Sequence, residues 1–135
     1  MKRLLVVLCV LGLFFSACKK DAVTYPSTAS GSNKTVMLTI PADSWVTTDN
    51  GISYYASLNV PAITAAIADN DAVSAYISYG NNVYEQIPEV YQGVSYSYTY
   101  STNNVTVYAQ HPGASEAINE PPAITLKVVL VSSAQ

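Results

Sequence analysis

One cysteine stands where its thiol could be modified. Residues 4–15 form an apolar run of twelve residues after two basic ones, and the small pair Ser16-Ala17 stands directly before Cys18. Small side chains fit a signal peptidase site, and the Cys18 thiol offers a nucleophile for diacylglycerol transfer before cleavage. The pattern predicts a bacterial lipoprotein signal over residues 1–17, with Cys18 as the lipid attachment point.

An ordinary secretory signal with an incidental cysteine is the alternative reading of this segment. A retained membrane span is not predicted, because a spanning helix needs about 20 apolar residues. Each methylene of an acyl chain buried in a bilayer contributes about 0.8 kcal/mol, so the two or three chains on Cys18 would give a stable membrane anchor. Cys9 lies within the signal, and the mature chain is therefore expected to hold no internal disulfide.

Tyrosines are the second group that could do chemistry, by stacking on sugar rings. Tyr96, Tyr98 and Tyr100 alternate with Ser and Thr residues, which cannot supply a core, so the tyrosine face is expected to point inward. Tyr55 and Tyr108 fall on faces predicted to be outward. They are the candidate ligand-binding surface.

Two further groups of side chains could bind a metal ion or take part in catalysis, but neither matches a specific motif. Asp69 and Asp71 flank an asparagine and could offer oxygen ligands to calcium, although a polar turn needs no metal. His111 is the only histidine, followed by Glu116 and Glu120. With no second histidine and no nucleophile motif beside it, His111 is expected to be an exposed loop residue, and no metal, cofactor or catalytic residue is predicted.

Paired carboxylates could serve glycoside hydrolysis if two lay about 5 to 9.5 Å apart. The candidates are Asp43, Asp49, Glu85, Glu89, Glu116 and Glu120. A sandwich of about a hundred residues is not expected to hold the deep cleft that substrate distortion requires. A small carboxylate-based hydrolase is therefore the least favoured function.

Charge and composition narrow the range of partners. Residues 18–135 carry four basic and nine acidic residues, a net charge of about −5, so nucleic acid is not an expected partner. Residues 19–33 are rich in Ser, Thr, Ala and Gly without periodicity, which is typical of a flexible tether. The sequence thus predicts a signal over 1–17, a lipidated cysteine and tether over 18–33, and one domain over 34–135.

Hydrophobic alternation within that domain predicts short strands. Asn50 and Gly51 favour a two-residue hairpin loop, which would pair Trp45 with Ala56. A second hairpin is expected to turn at residues 80–82 and continue over 83–87. The remaining elements are predicted at 34–40, at 93–110 with a turn at 101–104, and at 124–131 in a central position, with a short helix capped by Thr64 within 62–70.

Seven or eight short strands without crossover helices favour an all-β fold, an antiparallel β-sandwich. Immunoglobulin-like and jelly-roll-like connectivity both remain open.

Several short segments also resemble those of a known group. The chain resembles small uncharacterised Bacteroidetes-type lipoproteins in several places. These are the lipobox, meaning residues 15–18 at the end of the signal, followed by Lys19-Lys20-Asp21; Trp45; the segments 60–64, 72–79 and 127–131; and Ile87-Pro88. The resemblance would cover most of residues 18–131. It implies an outer-membrane lipoprotein, on the periplasmic face or the cell surface, and no established activity comes with it.

The sequence therefore predicts a lipid-anchored, non-enzymatic module for recognition or envelope structure, held at the membrane, with a possible glycan or protein partner. A carbohydrate-binding module is the rival interpretation. Clustered tyrosine or tryptophan rings along a groove would favour sugar, whereas a free edge strand would favour a protein partner.

Overall fold

Two antiparallel sheets of four strands each make up the fold. The computed structural model describes residues 33–133, and the predicted all-β sandwich is confirmed. The strands are β1 (Lys34–Ile40), β2 (Ser53–Asn59), β3 (Ala72–Ser78), β4 (Glu85–Gln86), β5 (Glu89–Tyr91), β6 (Val94–Ser101), β7 (Asn104–Gln110) and β8 (Ile124–Val131). One short helix, α1 (Ala65–Asn70), connects β2 to β3. Cys18, its signal and the tether up to residue 32 lie outside the described residues.

The strand order places early strands beside late ones. Sheet A has the order β1-β8-β3-β4, and sheet B has the order β2-β7-β6-β5. The β1–β8 and β2–β7 pairs share the nesting of a jelly roll. The β3–β4 and β5–β6 pairs, in contrast, join neighbours in the sequence. β8 lies between β1 and β3, as its density of β-branched residues predicts.

Alternating apolar residues from both sheets form the core. In β8, Ile124, Leu126, Val128 and Leu130 are all buried, and the residues between them face outward. β7 contributes Val105, Val107 and Ala109 in the same way. The inward direction predicted for the tyrosines of β6 is confirmed for Tyr96, which is buried, and for Tyr98. Tyr100, near the end of the strand, is 39% exposed. The Tyr98 hydroxyl donates a 2.7 Å hydrogen bond to the Val73 carbonyl of sheet A. This bond joins the two sheets.

The first hairpin forms with the predicted register but is shorter than predicted. Asn50 and Gly51 have φ of 58° and 86°, as a two-residue loop of this kind requires. Val46 and Tyr55 exchange two backbone hydrogen bonds of 2.9 Å, which is the register that pairs Trp45 with Ala56. The first arm contributes only this isolated bridge, on the edge of β2 opposite its continuous ladder with β7, and the chain just before Trp45 forms a 3-10 turn over Ala42–Ser44.

Two other local predictions are confirmed. The Thr64 hydroxyl caps α1 by accepting a hydrogen bond from the Ile67 amide at 3.3 Å. β6 and β7 pair Tyr100 with Val105 around a turn in which Asn103 has φ of 59°. Asn103 also accepts from the Val60 amide and donates to the Ile63 carbonyl, so the turn holds the connection between β2 and α1.

The second hairpin was predicted too long. The strand expected over residues 83–87 is reduced to Glu85–Gln86, which pairs with Ile77 and Tyr76. Asn81 and Asn82 both adopt positive φ, so the connection is a wide loop. Within it, Tyr84 packs over the Lys127 ammonium, whose nitrogen lies 4.3 Å from the ring centre.

Candidate functional site

A groove of about 630 Å³ opens where the end of β3 meets the β5–β6 turn and the loop between β7 and β8. That volume is within the range of sites that bind small ligands. Aromatic rings line it together with amide and carboxyl groups. The lining residues used below are Tyr79, Tyr91, Gln92, His111, Asn119 and Glu120.

Stacked tyrosines form the aromatic part of the groove. The rings of Tyr79 and Tyr91 are nearly parallel, with centres 4.1 Å apart, and the Tyr96 ring meets Tyr79 edge-on at 5.9 Å. Burial raises the pKa of both Tyr79 and Tyr96 above the ordinary value of 10.0, so their phenols stay neutral at physiological pH. The groove therefore offers an uncharged aromatic surface.

Sequence-distant contacts hold the opposite wall in place. The Ile118 amide donates a 2.8 Å hydrogen bond to the Gly51 carbonyl in the first hairpin turn. The Trp45 indole nitrogen donates to the Pro122 carbonyl at 3.3 Å. Both contacts fix the loop of residues 111–123, which is otherwise without a strand or helix. The first hairpin thus supports the groove that the loop encloses.

His111 is the first residue of the loop between β7 and β8, as predicted, and its side chain is 39% exposed, but it also lines the groove. It follows β7 directly and is partly buried, with Nε2 4.0 Å from a Glu116 carboxylate oxygen. Among the described residues, no hydroxyl lies within hydrogen-bond distance of its imidazole. The groove satisfies one requirement of the hydrolase hypothesis, since it holds His111, but the described side chains offer no nucleophile activated by this base.

Two of the candidate acids approach each other beside the groove. Glu89 pairs with Tyr96 across β5 and β6. Burial, followed by the neighbouring Glu85 carboxyl, raises the pKa of Glu89 above its ordinary value of 4.5. Glu89 therefore keeps its proton to a higher pH than an isolated glutamate does.

Tyr55 and Tyr108, the predicted ligand-binding pair, lie side by side on the outer face of sheet B. They are direct cross-strand partners in β2 and β7, and the Tyr108 hydroxyl lies 3.4 Å from the Thr99 hydroxyl. The outward residues around them in β2, β6 and β7 are Ser, Thr, Asn and Gln. This face is separate from the groove, so the structure presents two candidate surfaces.

Asp71 has a structural partner. Its carboxylate accepts hydrogen bonds from the amide and the hydroxyl of Ser133, at 3.0 and 3.2 Å, which ties the end of α1 to the segment after β8. Asp69 is exposed. Within residues 33–133, no group of three His, Cys, Asp or Glu side chains is arranged to hold a metal ion.

Of the groove tyrosines, the sequence singled out Tyr96 but not Tyr79 or Tyr91. Tyr79 and Tyr91 each stand at a strand end, directly before Gly80 and before Gln92-Gly93 respectively. A large aromatic residue just ahead of a glycine turn is the signal that could have marked them, because such a residue lies at the rim of the sheet.

No helix in the described part of the chain has the length and apolar character needed to cross a bilayer. A scan against protein-family models finds no match, and searches of curated proteins and of solved structures find none either. The function is therefore argued from the groove and its chemistry.

Proposed function

We propose that this protein is a lipid-anchored, non-enzymatic recognition module of the bacterial cell envelope, and that its groove binds carbohydrate. The observation that carries the carbohydrate assignment is the stacked pair Tyr79 and Tyr91 in a groove with amide and carboxyl groups at its edge. The lipid anchor on Cys18 and the outer-membrane location rest on the sequence pattern.

Sugar rings suit this lining because they have two kinds of surface. The C–H groups of a pyranose form apolar patches that pack on aromatic rings, while its hydroxyls need donors and acceptors around the edge. Gln92, Asn119 and Glu120 supply both within the groove. They are exposed in the unbound protein, so a ligand can reach them without rearrangement of the core.

The test compares the two tyrosine surfaces. Solubilised full chain would be applied to a glycan array as wild type, as Tyr91→Ala and, as the matched control, as Tyr108→Ala. We expect Tyr91→Ala to weaken binding at least about tenfold, because it removes one ring of the stack, and Tyr108→Ala to leave it unchanged. Thermal melting of each variant separates loss of binding from loss of fold.

The other outcomes are equally informative. Loss of binding in Tyr108→Ala alone would move the site to the outer face of sheet B. Binding of no glycan by the folded wild type would overturn the carbohydrate assignment. Cleavage of a bound glycan would show an enzyme and contradict the recognition module.

A further inference from the structure

A second, smaller hollow lies beside the groove. It has a volume of about 260 Å³ and is lined by Asn81 and Val83 of the β3–β4 connection and by Glu85 of β4, among others. Tyr79 and Tyr91 line this hollow as well as the groove. The stacked rings therefore stand between two neighbouring depressions, and a ligand that crosses them would contact both.

The two depressions share their chemistry as well as the tyrosines. The groove has the amides of Gln92 and Asn119, and the hollow has the amide of Asn81. Each also has an apolar part that complements the aromatic rings, such as Val83, which is 61% exposed. A repeated pattern of aromatic surface, amide and carboxyl group suits a ligand made of repeated units.

Charge restricts what the ligand can be. Glu120 lines the groove and Glu85 lines the hollow, whereas no Lys or Arg among the described residues lines either. Residues 33–133 contain two lysines and eight acidic residues, and one of the lysines, Lys127, is held against Tyr76 and Tyr84. An anionic ligand would meet carboxylates at both ends without a compensating cation.

We infer that the ligand is an uncharged oligosaccharide whose chain crosses the Tyr79–Tyr91 stack, with one sugar unit in the groove and another in the hollow. This inference rests on the proposed function and adds the length and charge of the glycan. The protein would then recognise neighbouring units within an oligosaccharide and not a single terminal sugar.

Calorimetric titration of solubilised full chain tests the length. The probes are gluco-, manno-, xylo- and N-acetylglucosamine oligosaccharides of one to six units, with oligogalacturonates of the same lengths as the anionic comparison. For the series that binds, we expect affinity to rise at least about tenfold from one unit to the length that fills both depressions, and then to level off. Oligogalacturonates are expected to bind at least about tenfold more weakly than neutral chains of equal length.

Two variants assign these effects to the hollow. Val83→Ala removes an exposed apolar contact and should weaken binding of the longer oligosaccharides about threefold while leaving the single sugar unchanged. Val90→Ala is the matched control, because Val90 is also 61% exposed and lines neither depression. Glu85→Gln should reduce the discrimination against oligogalacturonates.

The inference and the proposed function fail in different ways. Affinity that is the same for one unit and for six, tighter binding of oligogalacturonates, or equal effects of Val83→Ala and Val90→Ala would overturn the chain-binding inference while the protein still binds sugar. If neither the glycan array nor any titrated series shows binding, the proposed function is wrong and the inference falls with it.

Discussion

At the scale of single residues, the Asp49 side chain joins the two arms of the first hairpin. Its carboxylate accepts hydrogen bonds from the Ser53 hydroxyl at 2.6 Å, from the Ser53 amide at 2.9 Å and from the Thr47 hydroxyl at 2.9 Å. The bonds from Ser53, followed by the one from Thr47, lower the pKa of Asp49 below its ordinary value of 3.8. The ionised form is the one that holds the turn.

Asp49→Asn should therefore destabilise the protein in a pH-dependent way. Since the folded pKa is lowered, the stabilisation from ionised Asp49 is present above pH 3.8 and disappears as the pH falls through the folded pKa. Urea unfolding across this range should show wild type and variant diverging at neutral pH and converging in acid. Asp43→Asn, at an exposed aspartate outside the turn, is the control, and an equal response in both variants would contradict the role of Asp49.

At the scale of structural elements, the first hairpin turn contacts the 111–123 loop through Gly51. Gly51 is buried, and a Cβ atom placed on it would lie 3.4 Å from the Tyr54 hydroxyl and 3.6 Å from the Ile118 carbonyl oxygen. Its φ of 86° is also a conformation that side-chain-bearing residues rarely adopt. Glycine is needed here for the backbone conformation of the turn, while the distances to Tyr54 and Ile118 are those of ordinary van der Waals contacts.

Gly51→Val should lower the free energy of unfolding by about 2 kcal/mol, because a β-branched residue is strained at positive φ. The expected fall in melting temperature is roughly 8 to 16 °C for a domain of this size. Glycan affinity should fall as well, since the Ile118 bond to residue 51 positions the wall. Asn50→Gly keeps the turn and is the control. An unaltered melting temperature in Gly51→Val would contradict this account of the turn.

The sequence predicted elements where the signal is local. Asn50 and Gly51 define a turn by their own backbone preferences, and the register of Val46 with Tyr55 follows from that turn. The first arm and the 83–87 strand were overestimated because alternation indicates which residues face inward but not whether a neighbouring strand is available. The length of each pairing depends on the path that the tertiary structure gives the backbone, as in the 3-10 turn at Ala42–Ser44 and the positive φ of Asn81 and Asn82.

At the scale of the whole molecule, the groove depends on the complete fold and could not be predicted from the sequence. Its residues come from the end of β3, the β5–β6 turn and the 111–123 loop, which are brought together only by the packing of the two sheets. His111 shows the difficulty, because its sequence context of proline and glycine indicates an exposed loop. The loop is exposed over residues 112–117, as that context indicates, but bonds to Gly51 and Trp45 fix it at residues 118 and 122, and no local pattern encodes these two contacts.

Membrane attachment is tested on the full chain. Cys18→Ala should move most of the protein from the membrane fraction to the soluble fraction, because the variant lacks the thiol to which acyl chains would be attached. Cys9→Ala, within the proposed signal, is the matched control and should stay with the membrane. Continued membrane association of Cys18→Ala in a fractionation assay would refute the lipid anchor.

The position of β8 has a consequence for when the protein can fold. β8 is the last strand of the described chain, yet it supplies the partner of β1 and of β3 at the centre of sheet A. A chain emerging from the ribosome amino end first therefore cannot complete this sheet until residue 131 has been made. Such non-local pairing slows folding, so the nascent chain is expected to stay unfolded for longer than a chain that folds into local hairpins. An unfolded chain is the form that can pass through a protein-conducting channel.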